Sequence, residues 1–466
     1  MYKKKGHLHF VGIGGIGMSG IAQILKCQGY KISGCDSDLA QKSIKDLKSL
    51  GCEIYHGNNT TKCHNSDIDI LVYSSAIKNN NPEIIAAQKK GIPTIPRALM
   101  LAELMRTKYS IAIAGSHGKT TTTSLISHIL IEAQMDPTVI IGGHLKNIST
   151  NARLGEGDFL VAEADESDKS LTHLQSTLSV LTNIDLEHLE TYRDIDDIKE
   201  TFTTFLNNLP FYGKAFLCSD DTHVMSLLPM PHIKIIKYGL SDEFADIYSK
   251  NVQLNPDNST FTVFKKGEKK PLGNVTLTMP GKHNVQNCLA AIAVSLDLGI
   301  NFSTIAKALE NFKGIERRFC YKGIFNGAEI FDDYGHHPKE IKNVLEVAKK
   351  RAKNKLIVAF QPHRYSRTHK LWDQFIETFL HSNIDQLIIT DIYPASETPI
   401  AEINSKNLVK AINKRNPAFP VIYAPYDQEL SQINHQIKTV VQSDDLILSL
   451  GAGKITNLAK TLAPTV

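Results

Sequence analysis

The residues best suited to chemistry stand in the run Gly115, Ser116, His117, Gly118, Lys119, Thr120 and Thr121. Glycines leave backbone N–H groups open to an anion. Lys119 can reach the terminal phosphates of a nucleoside triphosphate, and Thr120 can hold Mg²⁺ through its hydroxyl. The strict form of this pattern would place a glycine where Ile113 stands. Two titratable clusters follow: Glu163, Asp165, Glu166 and Asp168, then Asp185, Glu187 and His188. Crowded carboxylates repel one another, so a nearby cation is the economical explanation, with Glu163 and His188 as its ligands. The alternative makes these acids helix N-caps, and for Asp185 the cap is the favoured reading.

Such groups need elements to position them. Ile111 to Ala114 is a short apolar run that reads as a buried parallel strand, and LISHILIEA after the threonines reads as helix. Phe159 to Ala162 and Leu178 to Ile184 read as strands ending at the two acidic clusters. An earlier unit has the same design. HLHFVGIGGIGMSGIAQIL carries Gly12, Gly14 and Gly17 in the G-x-G-x-x-G spacing, with Gly15 and Ile16 in the same turn. Asp36 ends the next strand, and Ser74 and Ser75 end a third, the edge where open parallel sheets bind ligands. Taken alone, this unit suggests NAD. Arg97 to Arg106 reads as a helix leading out of it, with Arg97 either an anion ligand or a solvated terminus. Residues 233–280 alternate polar and apolar, as antiparallel strands do. His283, Asn284 and Asn287 open a helix, where amides can read an adenine edge or cap the helix. Beyond Arg318, four strands end at polar or glycine-rich loops carrying Asp333, His336, His337, His363, Arg364 and Arg367, a set suited to an anion.

Length and composition bound the classes. A chain of 466 residues is too long for one core and implies about three domains. Its 42% hydrophobic and 21% charged residues are those of an ordinary globular protein. A formal charge of +4 without a long basic run argues against nucleic acid as a partner. The seven cysteines form no C-x-x-C pair, and Cys63-His64 is at most half a metal site, so reduced thiols are expected. No apolar run approaches the about 18 residues a membrane span requires, and MYKKKG leaves no room for a signal peptide. A cytoplasmic protein with no membrane partner is expected.

Ten runs resemble the Mur ligase family: HFVGIGGIGMSGIA, SSAI, RALMLAELMR, GSHGKTTTT, VAEADESD, TNIDLEHL, PGKHNVQNCLAA, GIERRF, DDYGHHP and QPHRYSRT, in family order over nearly the whole chain. The resemblance implies an α/β protein of three domains: a Rossmann-like one at 1–107, a central P-loop ATPase-like parallel sheet at 108–317, and a second Rossmann-like one at 318–466. It implies an ATP-dependent, amide-forming enzyme, in the branch that joins L-alanine to UDP-N-acetylmuramate. The first domain would then hold the UDP end of the substrate through Gly14, Gly15, Ile16, Gly17, Asp36, Ser74 and Ser75, not NAD. Gly115 to Thr121 would bind ATP, Thr120, Glu163 and His188 the Mg²⁺, and His283, Asn284 and Asn287 the adenine region. Arg318, Asp333 and His336 would close over ATP, with His363 and Arg364 near the amino acid. Monomer and homodimer both remain open. A ligase that recycles a preformed tripeptide onto the same sugar nucleotide is the alternative, which ADESDKSL and GSHGKTTTT disfavour. Lys454 departs from the family's usual acid, and Glu200 to Pro210 lacks the carbamylated lysine of some relatives.

Overall fold

The computed structural model describes residues 5–57, 67–74, 76–78, 80–145, 150–188, 191–241, 244–395 and 397–462. Ser75, Cys63 and His64 lie outside these residues. The chain divides into two compact units. The first comprises residues 1–251, 261–275 and 285–313, and the second residues 252–260, 276–284 and 314–466. Among the described residues no helix is long and apolar enough to cross a membrane.

The first unit opens with a five-stranded parallel sheet, in the order Glu53–His56, Lys31–Asp36, His7–Val11, Ile70–Tyr73 and Thr94–Pro96. Its order reverses beside His7–Val11, and the glycine turn leads from that strand into the helix Ile16–Cys27. Open α/β sheets bind ligands at such a reversal. The helix Arg97–Met105 then leads to the next sheet. That sheet has ten strands, with Tyr109–Ala114 between Leu178–Leu181 and Phe159–Glu163, all three parallel. The carboxyl ends of these strands therefore share one edge. The strand at 178 stops at Leu181, three residues sooner than expected, because Thr182 and Asn183 turn to bond the phosphate loop. Residues 233–280 are only partly as expected. Lys234–Gly239 pairs in parallel both with Lys214–Cys218 and with the start of Ile247–Leu254.

The second unit holds a six-stranded sheet. Ala328–Asp333, Leu446–Leu450, Leu356–Phe360, Gln386–Ile389 and Val421–Tyr423 run in parallel, and Cys320–Phe325 pairs antiparallel at one edge. The edge strands at 320 and 421 have no counterpart in the sequence reading. The first carries mixed residues, with 321–325 largely exposed, and the second is an apolar run of only three residues.

A polar chain crosses the core of the first sheet. His7 Nε2 and His9 Nδ1 lie 2.7 and 2.8 Å from Ser33 Oγ. His9 Nε2 lies 3.2 Å from Glu83 Oε2, and Cys35 Sγ donates to Glu83 Oε1 at 3.2 Å. His9, Cys35 and Glu83 are all wholly buried. A buried carboxylate of this kind is stable only while its partners remain. Glu83→Ala removes the acceptor of both His9 and Cys35 and is expected to cost ~3 kcal/mol. Glu83→Gln, which keeps an acceptor, should cost clearly less. Denaturant midpoints of the two variants check this, and equal midpoints would contradict it.

Candidate active site

The phosphate loop is shaped by its neighbours as much as by its own residues. Gly115 has φ +129°, and a Cβ there would lie 2.1 Å from Thr182 Oγ1, so only glycine fits. Gly118 sits at φ +83° immediately before the helix Lys119–Glu132. A Cβ on Gly118 would come 2.5 Å from Asn287 Oδ1, which seats that amide against the loop. Ser116 Oγ accepts from Asp185 N at 2.8 Å, and His117 N donates to Asn183 Oδ1 at 2.9 Å. Asp185 is not a helix cap. Its Oδ2 lies 3.2 Å from His117 Nε2, and the following helix, Ile195–Asn207, is capped by Asp194. Thr120 and Thr121 occupy the helix's first turn, with Thr121 buried.

Lys119 is tied into this loop. Its Nζ donates to Gly115 O at 2.6 Å, Ser116 O at 3.1 Å and Glu166 Oε1 at 2.8 Å. Burial pulls the ammonium's pKa down, but Glu166, Asp165 and Glu187 outweigh it and the pKa is raised. Next to Glu166, Asp165 pairs with Arg97 at 3.0 Å. Burial opposes ionisation there, yet Arg97 and Lys119 hold the Asp165 carboxyl down to about 2.

Glu166, Glu187 and His188 form the candidate cation cluster, with one donor atom from each lying within 4.8 Å of the others. Two carboxylates and an imidazole suit a divalent cation such as Mg²⁺ or Mn²⁺. The residues therefore fit the expected metal. His188 is held at φ +51°, a conformation rare for non-glycine residues. Glu163 is not one of these three, and its Oε1 accepts from Gly142 N at 2.9 Å. Glu166 was missed as a site residue because AEADESD offers four acids, and only the folded turn decides which one faces His188.

At the first sheet's edge, Asp36 Oδ2 accepts from Gly14 N at 2.8 Å and Oδ1 from Asp38 N at 3.0 Å. Its carboxylate thus pins the glycine turn. Ser74 packs under the same turn, since a Cβ on Gly12 would meet Ser74 Cβ at 3.2 Å. Gly15 precedes the helix that Ile16 and Gly17 begin, and Ile16 is exposed. Arg97 is no solvated terminus. Its guanidinium fills the space over Gly17, where a Cβ would lie 2.7 Å from Nη1.

The second unit has its own cationic group. Asp333 accepts from Phe319 N and Gly335 N, both at 2.7 Å. Burial outweighs Arg318 and these bonds, and raises the Asp333 carboxyl to about 6. Arg318 and Arg317 lie over the Tyr334 ring. Arg317, which the sequence reading overlooked, donates to Gly451 O at 2.6 Å and Gly453 O at 3.3 Å. That gives the Gly451–Lys454 turn a structural task. His337 caps the helix Pro338–Arg351 in a capping box with Glu340, so it is a structural residue here. His283 is pushed down to about 4 by burial and by Arg318. Asn284 Nδ2 donates to Pro280 O at 2.7 Å, closing the turn before its own helix. His336 and His363 rings lie 5.6 Å apart. Arg364 Nη1 lies 3.9 Å from Glu397 Oε1. Arg367 Nη1 lies 3.1 Å from His363 Nδ1. Arginine can only donate, so Nδ1 accepts and the ring proton sits on Nε2.

A phosphate loop beside a carboxylate–imidazole cluster on one parallel-sheet edge defines a nucleotide-dependent phosphoryl-transfer class. Comparison with known proteins narrows this. Residues 7–109 match the Mur ligase family, catalytic domain, residues 113–295 the Mur ligase middle domain, and residues 317–453 the Mur ligase, glutamate ligase domain. The chain belongs to the Mur ligase family. It is 47% identical to a UDP-N-acetylmuramate–L-alanine ligase of Geobacter sp. (strain M21), covering 99% of this chain and 98% of that protein. A protein of the same description from Vesicomyosocius okutanii subsp. Calyptogena okutanii (strain HA) is 49% identical, covering 98% and 96%. Among solved structures, the UDP-N-acetylmuramate–alanine ligase of Thermotoga maritima matches with a TM-score of 0.80 at 25% identity, covering 98% of both chains. A murein peptide ligase of Psychrobacter arcticus 273-4 shares the fold, with a TM-score of 0.74 at 24% identity over 99% of each.

His363 supplies a pH test. Burial, then Arg367 and Arg364, lower its pKa to about 3. A depressed imidazole pKa means that folding excludes its proton. This contribution to stability is complete above the unfolded value near 6.5 and declines as pH falls toward 3. Ring NMR shifts of His363 should stay those of the neutral Nε2–H tautomer from pH 8 to about pH 5. Arg367→Met should move the titration up toward 6.5. A wild-type titration near 6.5 would contradict the assignment.

Proposed function

We propose that this chain joins the carboxylate of UDP-N-acetylmuramate to the amino group of L-alanine, consuming ATP and releasing ADP and phosphate. The carrying observation is the phosphate loop and the Glu166–Glu187–His188 cluster on adjacent strand ends, in a chain about 47% identical over its length to ligases of that description. The recycling alternative is disfavoured, because relatives 46–47% identical over nearly the whole chain are described as alanine ligases, whereas the murein peptide ligase matches at 24% identity.

A carboxylate does not react with an amine at neutral pH, since its oxygen is a poor leaving group. Attack of the muramate carboxylate on the γ-phosphorus forms an acyl phosphate and ADP. The alanine nitrogen then attacks the acyl carbon, and the tetrahedral adduct expels phosphate. In this reading the loop's N–H groups and Lys119 receive the phosphates. Glu166, Glu187 and His188 would hold a divalent cation, with Thr120 and Glu163 as further candidates, and the ion would offset charge on the transferring phosphoryl group. The first sheet (1–107) takes the UDP end at the Gly12–Gly17 turn, with Arg97 as an added cation there. Arg364 and Arg367 match the carboxylate of alanine. A pKa of about 3 makes His363 a poor base, so its part is to orient Arg367. A cytoplasmic location suits substrates of this kind.

Phosphate release measured with UDP-N-acetylmuramate, ATP and Mg²⁺ tests the reading. Little should appear without an amine, and L-alanine should release one phosphate per amide formed. A preformed tripeptide should serve poorly. A better rate with the tripeptide would favour the recycling reaction, and an equal rate without any amine would make the chain an ATPase. Lys119→Ala, which leaves Glu166 without its ammonium and so needs its folding checked by a melting curve, should lose ~100-fold or more in turnover when folded. Near-normal turnover would remove the loop from the mechanism.

A further inference from the structure

Glu166 serves two groups of partners at once. Its Oε1 accepts from Lys119 Nζ at 2.8 Å and lies 3.5 Å from His188 Nε2. Oε2 is also 2.8 Å from Nζ, but buried and without a well-formed hydrogen bond. The residue is 2% exposed, so water cannot substitute for either partner. With Gly115 O and Ser116 O taking its other protons, the Lys119 ammonium is fully engaged inside the loop. A divalent cation on Glu166, Glu187 and His188 would draw on the same carboxylate. Two cations competing for one buried carboxylate repel each other.

We propose that Glu166 is an exchangeable counter-charge, and so a positioning residue for Lys119. It parks the ammonium inside the phosphate-free loop and gives it up when a divalent cation takes the carboxylate. Lys119 is thereby delivered to the phosphates together with the metal. In nucleotide without metal, Lys119 must break its Glu166 bond with nothing to replace it. This rests on reading the loop as a nucleotide site, but not on which acid and amine are joined.

The test uses the full chain and two probes. The first is Mn²⁺ alone, followed by the EPR signal of the free ion. Lys119→Met, similar in length but uncharged, should bind Mn²⁺ ~10-fold more tightly than wild type, and Glu166→Gln ~10-fold more weakly. The second is a non-hydrolysable ATP analogue titrated in EDTA by calorimetry. There Glu166→Gln should bind more tightly than wild type, while Glu166→Asp should resemble it. Melting curves confirm that each variant is folded, and the Lys119→Met arm decides alone should Glu166→Gln fail to fold. Unchanged Mn²⁺ affinity in Lys119→Met, or no gain by folded Glu166→Gln in EDTA, would overturn the proposal. A chain that joined some other acid and amine would still give the expected results, so this failure is separable from that of the ligase reaction.

Discussion

A lysine ammonium withdrawn from water must be surrounded by oxygen, and the ten-stranded sheet is arranged around meeting that demand for Lys119. Two carbonyls come from the loop itself and one carboxylate from the next strand's end. Those oxygens converge only if the loop lies flat against Thr182 and Asn183, which excludes any side chain at Gly115. The parallel pairing of Tyr109–Ala114 with both neighbours brings their ends to one edge. Attraction by the nearby acids exceeds the burial penalty, so the lysine stays charged where a phosphate would need it.

The same device recurs with other purposes. A carboxylate at a strand's carboxyl end accepts backbone N–H groups and fixes the turn that follows or faces it. Asp36 does so for Gly14, Glu163 for Gly142, and Asp333 for Phe319 and Gly335. Arg317 performs the converse task, gathering the carbonyls of the Gly451–Gly453 turn. Acids at strand ends in this fold are therefore often structural. Glu166 differs in that its partners are an ammonium and an imidazole, both groups that can be displaced.

Much of this was legible from residue types. Continuous apolar runs marked the central strands, and glycines marked the two strand-to-helix turns, because those features follow from local sterics and burial. What could not be read was which of several like residues faces inward. AEADESD does not distinguish Glu163 from Glu166. TNIDLEH does not show that Asp185 meets His117 across the sheet instead of capping a helix. GIERRF gives no sign that Arg317, besides sharing the Tyr334 ring with Arg318, gathers the carbonyls of the Gly451–Gly453 turn. Each of these depends on a turn whose shape is set by residues distant in the chain.

The chemical core of the account is that ATP activates the acid, not the amine. Oxygen bookkeeping tests that most directly. UDP-N-acetylmuramate labelled with ¹⁸O in its carboxylate should, during turnover with ATP and L-alanine, pass one labelled oxygen into each released phosphate, since attack on the γ-phosphorus leaves that oxygen bonded to phosphorus. Phosphate free of the label, observed alongside normal amide formation, would contradict the acyl phosphate and the assignment of the loop that supports it.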